Sequence, residues 1–405
     1  MAWLDGLRAI AALLVVYEHL SHYLLRGARA GSGEWFHAGT AGVMLFFLVS
    51  GYIIPASLER HGSLRAFWVS RVCRLYPLYL VVAVLMVVLG AGGLVPLDPY
   101  LAAHPTTAAL AHASMVPELL GVPLITGVFW TLSFEMAFYL LVSGLFAVRL
   151  HRASGLVAVL LAGVAVAAVP LTPTVLSDTP AAVRNVTIAV VVGLTVGVLA
   201  AASGRRWLVV PGGLLLSGLA GVLLVLNQGP AHVWDGLLIL AVMFVGTAIY
   251  RADQGLTSWW QGGLVAAVVA AALLTTWFIE LDSFGPPWEK YRPRAVLTLA
   301  VFAGLFALGM ATRRYAVPRA LAWLGLVSYS VYLMHYVLLQ VSRPVLAAAG
   351  ERLPALAEAP VVLAFLAALV GTCWLTYRFV EVPGQRLGRR WTRWMNARWG
   401  SDVPG

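Results

Sequence analysis

Two ionisable residues stand where an apolar helix should exclude them. The stretch LDGLRAIAALLVVYEHL at positions 4–20 is mostly apolar, yet it carries Arg8 and His19 with ten residues between them. At about 100° per residue, that spacing returns to within about 20° of one helix face and separates the groups by about 16 Å along the axis. That is roughly half of a hydrocarbon core about 30 Å thick. Ala12 and Val15 lie between them on the same face, Glu18 is adjacent, and His22 follows above. A stripe of small residues between two polar groups leaves room for a narrow, extended molecule. Ionisable groups within a span cost roughly 2.5–3.5 kcal/mol each on insertion scales, so each marks a function or a partner. Histidine titrates near neutral pH and suits general-base work on a hydroxyl; a guanidinium suits phosphate. The competing reading is a topology charge beside a packed histidine.

Four further groups invite the same question. Arg71 and Arg74 are three apart, beside Trp68 and Tyr76, a cluster suited to phosphates at a membrane surface or to the ordinary positive charge of an inner loop. Glu135 is a carboxylate inside an apolar run with Tyr139 one turn along its face, so it needs a job or an arginine partner on another helix. Ser328, Tyr332 and His335 share one helix face, which points His335 into a bundle. Ser50-Gly51 permits close approach of a helix or ligand. Arg378 and Glu381, three apart, are expected to form a local ion pair outside the site. Cys73 and Cys373 have neither metal-ligand nor CxxC spacing, and no metal is expected.

The elements that must carry these residues are membrane helices. Apolar residues make up 61% of the 405 and charged residues 11%, against about 45–50% and about 25% in soluble domains. Long continuous apolar runs exclude an outer-membrane barrel, whose strands alternate. Twelve apolar segments stand out, at 7–25, 39–58, 75–95, 127–149, 155–170, 183–202, 207–226, 234–250, 262–280, 295–311, 323–341 and 361–382. The expected fold is all-α, a polytopic transmembrane helix bundle of about 10–12 spans. With the N-terminus inside, eighteen Lys and Arg fall on the inner side against eight outside, with Arg378 inside the last span, which favours N-in, C-in topology. The +10 charge is thus a topology signal, and no nucleic acid is expected. No cleavable signal peptide is evident at the first run. Residues 1–383 read as the membrane-embedded domain, and 384–405 as a basic, Trp-rich cytoplasmic tail suited to an anionic leaflet. Segment 96–126 lacks Lys and Arg, carries five prolines, and reads as an ordered cap or re-entrant stretch.

Read in order, the motifs resemble a known family. Arg8 with His19; Phe46-Phe47-Leu48-Val49-Ser50-Gly51-Tyr52; Phe67-Trp68 with Arg71, Arg74, Leu75, Tyr76 and Pro77; Trp130-Thr131-Leu132-Ser133-Phe134-Glu135 with Phe138-Tyr139; and Ser328-Tyr329 through Tyr332-Leu333-Met334-His335 resemble five successive motifs of the acyltransferase-3 family of membrane O-acyltransferases. Tyr52 replaces a usual Phe, and Met136 stands where the family often has a second Glu. The resemblance implies an inner-membrane enzyme moving an acyl group from acyl-CoA to a hydroxyl of a carbohydrate, glycolipid or secondary metabolite such as a macrolide. His19 is then the general base, with Glu135, His335 and Tyr332 as orienting groups. Arg8, Arg71, Arg74, Tyr76 and Trp68 would hold the donor, its pantetheine arm running toward His19. No GxSxG elbow or Cys–His signature is present, so direct attack is favoured over an acyl-enzyme on Ser50 or Ser133. No hydrolase-like domain of the kind found in some polysaccharide-modifying relatives is expected from this sequence, an expectation that favours a small or lipid-linked acceptor. A secondary transporter is the competing class, because transporters also place ionisable groups at mid-membrane; an intramembrane sensor or scaffold is a third.

Overall fold

The computed structural model describes residues 2–172, 174–228 and 232–399, and within them the chain is all-α. In order, the helices are α1 (Ala2–Leu20), α2 (Arg26–Trp35), α3 (Ala38–His61), α4 (Leu64–Ala91), α5 (Pro99–Ala103), α6 (Pro105–Ala113), α7 (Trp130–Ala147), α8 (Ser154–Ala167) and α9 (Pro180–Ala201). There follow α10 (Arg206–Leu226), α11 (Val233–Asp253), α12 (Trp259–Ser283), α13 (Arg292–Ala311), α14 (Arg319–Leu326), α15 (Ser328–Arg352), α16 (Ala359–Thr376) and α17 (Val382–Trp399). Each of the twelve apolar segments seen in the sequence contains a helix.

Among the described residues, nine helices are long and apolar enough to span a membrane, or ten if α14 and α15, bent by 72°, count as one span. The two segments that fall short do so for physical reasons. Helix α1 carries Asp5, Arg8 and Glu18, and α8 has only 14 residues. Segment 96–126 is ordered, as expected. It folds into α5, α6 and a short turn around Glu118, with Ala111, Met115, Val116, Leu119 and Leu120 buried. Burial there pushes the Glu118 carboxyl up to about 7 and holds His112 down to about 4.

The helices gather into two compact units. The first comprises Met1–Val49, Pro77–Pro96 and Leu274–Val382. At its centre α1 packs against α13, α14 and α15. Gly325 makes the closest of these approaches, since a Cβ there would lie 1.8 Å from the Asp5 carbonyl oxygen. Helix α2 has no buried residue and is tied to α1 by polar contacts, Arg29 to Glu18 at 2.8 Å and Tyr17 to Ser32 at 2.7 Å.

The second unit comprises Ser50–Tyr76, Leu97–Leu273 and Pro383–Gly405. Its core is the α7–α10–α9 and α8–α11 packing, with Gly144, Gly197 and Gly212 at the contacts, where small residues bring helices together without a water-driven force. Two arginines that the sequence offered only as inner-loop charges are structural. Arg251 is buried and donates to Glu59, to the His151 carbonyl (2.6 Å) and to Ser154 (2.9 Å). Arg65 is buried and donates to the carbonyls of Ala202 (2.9 Å) and Ser203 (3.2 Å).

Candidate functional site

The first unit brings His19 and His335 together. His19 Nδ1 lies 3.2 Å from His335 Nε2 and 3.0 Å from the Val15 carbonyl oxygen. His335, fully buried, has its Nδ1 3.0 Å from the Val331 carbonyl oxygen. A carbonyl can only accept, so His335 Nδ1 carries the proton and its Nε2 is the acceptor. His19 Nδ1 must then be the donor, shared between Val15 and His335. That tautomer leaves a lone pair on His19 Nε2, the atom a general base uses. Two residues each one turn back along its own helix thus set the protonation pattern of the pair, and the hydrogen positions follow from this network.

Aromatic rings pack around the pair. Tyr336 meets the His19 ring edge-on at 5.5 Å, and Tyr332, buried, meets Phe46 at 5.9 Å. Ser328, Tyr332 and His335 are all buried, as their shared face required. Arg8 is half-buried on α1, and Ala12 and Val15 between it and His19 are buried. Glu18, which the sequence marked only as a neighbour of His19, accepts from Arg29 and from the Gly39 amide (3.2 Å). It lines a cavity of about 370 Å³ with Tyr17, Ser21, Glu34, Tyr291 and Arg294.

The second unit holds the other expected residues. Tyr139 donates a hydrogen bond to Glu135, and the Arg71 guanidinium lies 5.5 Å from the Tyr139 ring and 5.4 Å from that of Phe67. Such stacking suits a cation held in a partly dry site. Arg71 is 8% exposed, and its Nε is buried with no hydrogen-bond partner. It opens with Arg74 onto a cavity of about 510 Å³, whose other lining residues include Ser57, Ser70, Arg389 and Arg393. Trp68 and Tyr76 are not among the lining residues. Trp68 packs edge-on against Phe67, and the Tyr76 hydroxyl donates to the Ala113 carbonyl at 2.8 Å. The structure thus pairs Glu135 with Tyr139 in the unit that holds Arg71, and pairs His335 with His19.

Several smaller expectations can be placed too. Gly51 is a packing glycine, because a Cβ there would lie 1.8 Å from the Met243 carbonyl oxygen. Ser133 Oγ is buried without a hydrogen-bond partner, so no base touches it. The ion pair expected of Arg378 and Glu381 does not form. Arg378 lies over the Trp374 ring at 5.8 Å, and buried Glu381 accepts from Ser330. The backbone from Tyr377 to Glu381 is a π-helical turn, whose wider winding takes these residues off the register that an α-helix would give. Residues 400–405 of the expected tail lie outside the described residues.

The family model described as an acyltransferase domain, of the acyltransferase-3 type, matches residues 1–378. The chain belongs to the acyltransferase-3 family. Among curated proteins it is similar to Nodulation protein 10 of Rhizobium leguminosarum bv. viciae, 31% identical over 172 residues, or 38% of this chain and 47% of that protein. It is also similar to Acyltransferase MdmB of Streptomyces mycarofaciens, 32% identical over 151 residues, or 34% of this chain and 37% of that protein. A Staphylococcus aureus (strain MSSA476) protein named for O-acetyltransferase activity is 36% identical over 100 residues, which is 23% of this chain and 14% of that protein. The matched regions therefore span less than half of these relatives. No solved structure matches the chain.

Proposed function

We propose that this family member is a membrane O-acyltransferase that moves an acyl group from acyl-CoA, taken from the cytoplasmic side of the inner membrane, to a hydroxyl. The observation that carries this reading is the His19–His335 contact, which leaves His19 Nε2 unprotonated on the helix that also bears Arg8. The acceptor hydroxyl gives its proton to His19 Nε2 as its oxygen attacks the thioester carbonyl. The tetrahedral oxyanion then collapses, the C–S bond breaks, and the departing CoA thiolate takes the proton back from the His19 imidazolium. Through this cycle His335 Nε2 accepts from His19 Nδ1, so the imidazolium forms with a partner already in place. The donor's phosphates are assigned to Arg8, Arg71 and Arg74. Glu135 acts through Tyr139 on Arg71, as a positioning residue for the donor.

The acceptor is a hydroxyl on a carbohydrate, glycolipid or macrolide-like metabolite. The similarity to a protein named Acyltransferase MdmB supports acyl transfer as the reaction. The test is direct. Purified protein is given labelled acetyl-, propionyl- or isovaleryl-CoA with a panel of sugars, glycolipids and macrolides. Label transferred to an acceptor, with equal CoA released, supports the reading. Acceptor transport across vesicles without acyl-CoA consumption contradicts it.

A further inference from the structure

The arginine cavity of the second unit has a wall built by the C-terminal helix. Gln385, Gly388, Arg389, Thr392 and Arg393 all line it, at positions i, i+3, i+4, i+7 and i+8 along α17. That is one continuous face of an α-helix. The opposite side presents Arg390, Trp391, Trp394 and Arg398, and these are exposed, as Arg389 and Arg393 are at the cavity's rim. Helix α17 is seated against α4 by a close contact. Gly388 is buried, and a Cβ on it would lie 2.8 Å from Cys73 Cβ. Farther along, Arg65 reaches Asn396 at 3.4 Å.

The cavity so enclosed holds Arg71, Arg74, Arg389 and Arg393, and no acidic residue is among those that line it. None of the four forms an ion pair with a carboxylate among the described residues. Four guanidiniums around about 510 Å³ repel one another unless something anionic sits between them. Hydroxyl groups of Ser57, Ser63 and Ser70 also line it, whereas Thr392 donates to the Gly388 carbonyl at 3.0 Å. The buried, unpartnered Nε of Arg71 gives an independent sign that a hydrogen-bond acceptor belongs there. A tail that merely lay on a lipid surface would turn its arginines toward headgroups. It would not set two of them on the face that closes a cavity.

We infer that α17 is half of a phosphate site, and that Arg389 and Arg393 bind the nucleotide phosphates of the acyl-CoA donor opposite Arg71 and Arg74. The inference rests on the proposed donor reading and adds to it the residues that recognise the diphosphate and ribose phosphate. An anionic lipid headgroup offers the same phosphate chemistry, so the test must separate the two.

The full-length protein in neutral detergent is titrated calorimetrically with CoA, 3′-dephospho-CoA, pantetheine and dihexanoyl phosphatidic acid. The double variant Arg389→Gln/Arg393→Gln should weaken CoA about 10- to 30-fold, the loss expected of two charge-assisted contacts made by groups exposed in the free protein, and leave pantetheine unchanged. The control Arg390→Gln/Arg398→Gln, on the opposite face, should stay within about 3-fold, and thermal unfolding of both variants verifies folding. Equal weakening by both pairs reduces the effect to net charge and overturns the site. If Arg71→Gln weakens CoA while Arg389→Gln/Arg393→Gln does not, the role of α17 is overturned and the donor reading survives. If wild-type protein binds the lipid but no CoA, the donor reading fails, and the assignment of Arg389 and Arg393 to CoA phosphates with it.

Discussion

Replacing His335 with leucine removes the acceptor that faces His19 Nδ1 and keeps an apolar side chain in its buried place. At rest the bond between the two rings is neutral, and such bonds contribute about 0.5–1.5 kcal/mol. Once His19 has taken the acceptor's proton it is a charged donor, and bonds of that kind contribute about 1.5–3 kcal/mol. The part realised only on the way to the transition state is therefore on the order of 1–1.5 kcal/mol. At 1.36 kcal/mol per decade, kcat should fall about 5- to 12-fold. It should not fall further, because the Val15 carbonyl at 3.0 Å still holds the Nδ1 proton and preserves the tautomer. The Michaelis constant for acyl-CoA should be unchanged, since the donor's phosphates are bound by arginines. His335→Gln, whose amide oxygen can accept, should retain most of the rate. Initial rates of labelled acyl transfer, measured at saturating donor with thermal unfolding as the folding control, decide it. A folded His335→Leu protein with the wild-type rate refutes the reasoning. So does a glutamine variant impaired as badly as the leucine variant.

Other outcomes follow from the same structure. Arg8→Ala should raise the Michaelis constant for acyl-CoA more than for the acceptor; an equal rise in both contradicts phosphate binding there. Gly51→Ala forces α3 and α11 apart at a point where the new Cβ would meet the Met243 carbonyl. It should cost about 1–3 kcal/mol, read as a lower unfolding temperature in detergent, and an unchanged temperature would show that the two helices are not in close contact. Glu118 has its carboxyl pushed by burial from an ordinary 4.5 up to about 7. Between those values the folded state holds the proton and the unfolded chain does not, so stability falls as pH rises from about 4.5 through 7. Glu118→Gln should flatten that slope and exceed wild-type stability at pH 8; a parallel pH profile contradicts the assignment.

Much of the fold was legible because apolar runs in a membrane chain are helices, and each of the twelve runs contains one. The span count was harder to read. Arg8 and Glu18 dilute α1, and α8 is only 14 residues long, so sequence hydropathy and helix length disagree at these two helices. On the candidate site, helical spacing was enough to bury Ser328, Tyr332 and His335 together. Spacing within one helix could not show that His335 meets His19, because 316 residues separate them and only tertiary packing fixes their 3.2 Å contact. The arginines show the same limit. Charge counting treated Arg65, Arg251, Arg389 and Arg393 alike. The fold buries the first two in structural hydrogen bonds and turns the last two onto a cavity. The pairing of Arg378 with Glu381 failed because an i, i+3 rule assumes α-helical winding, and the chain there is π-helical.

In the proposed mechanism His19 takes the acceptor's proton. His19→Gln, purified and shown by thermal unfolding to be folded, should bind CoA with wild-type affinity and lose about 10²- to 10⁴-fold in acyl transfer, the range contributed by a positioned general base. A folded His19→Gln protein that transfers acyl groups within a few-fold of the wild-type rate would contradict it.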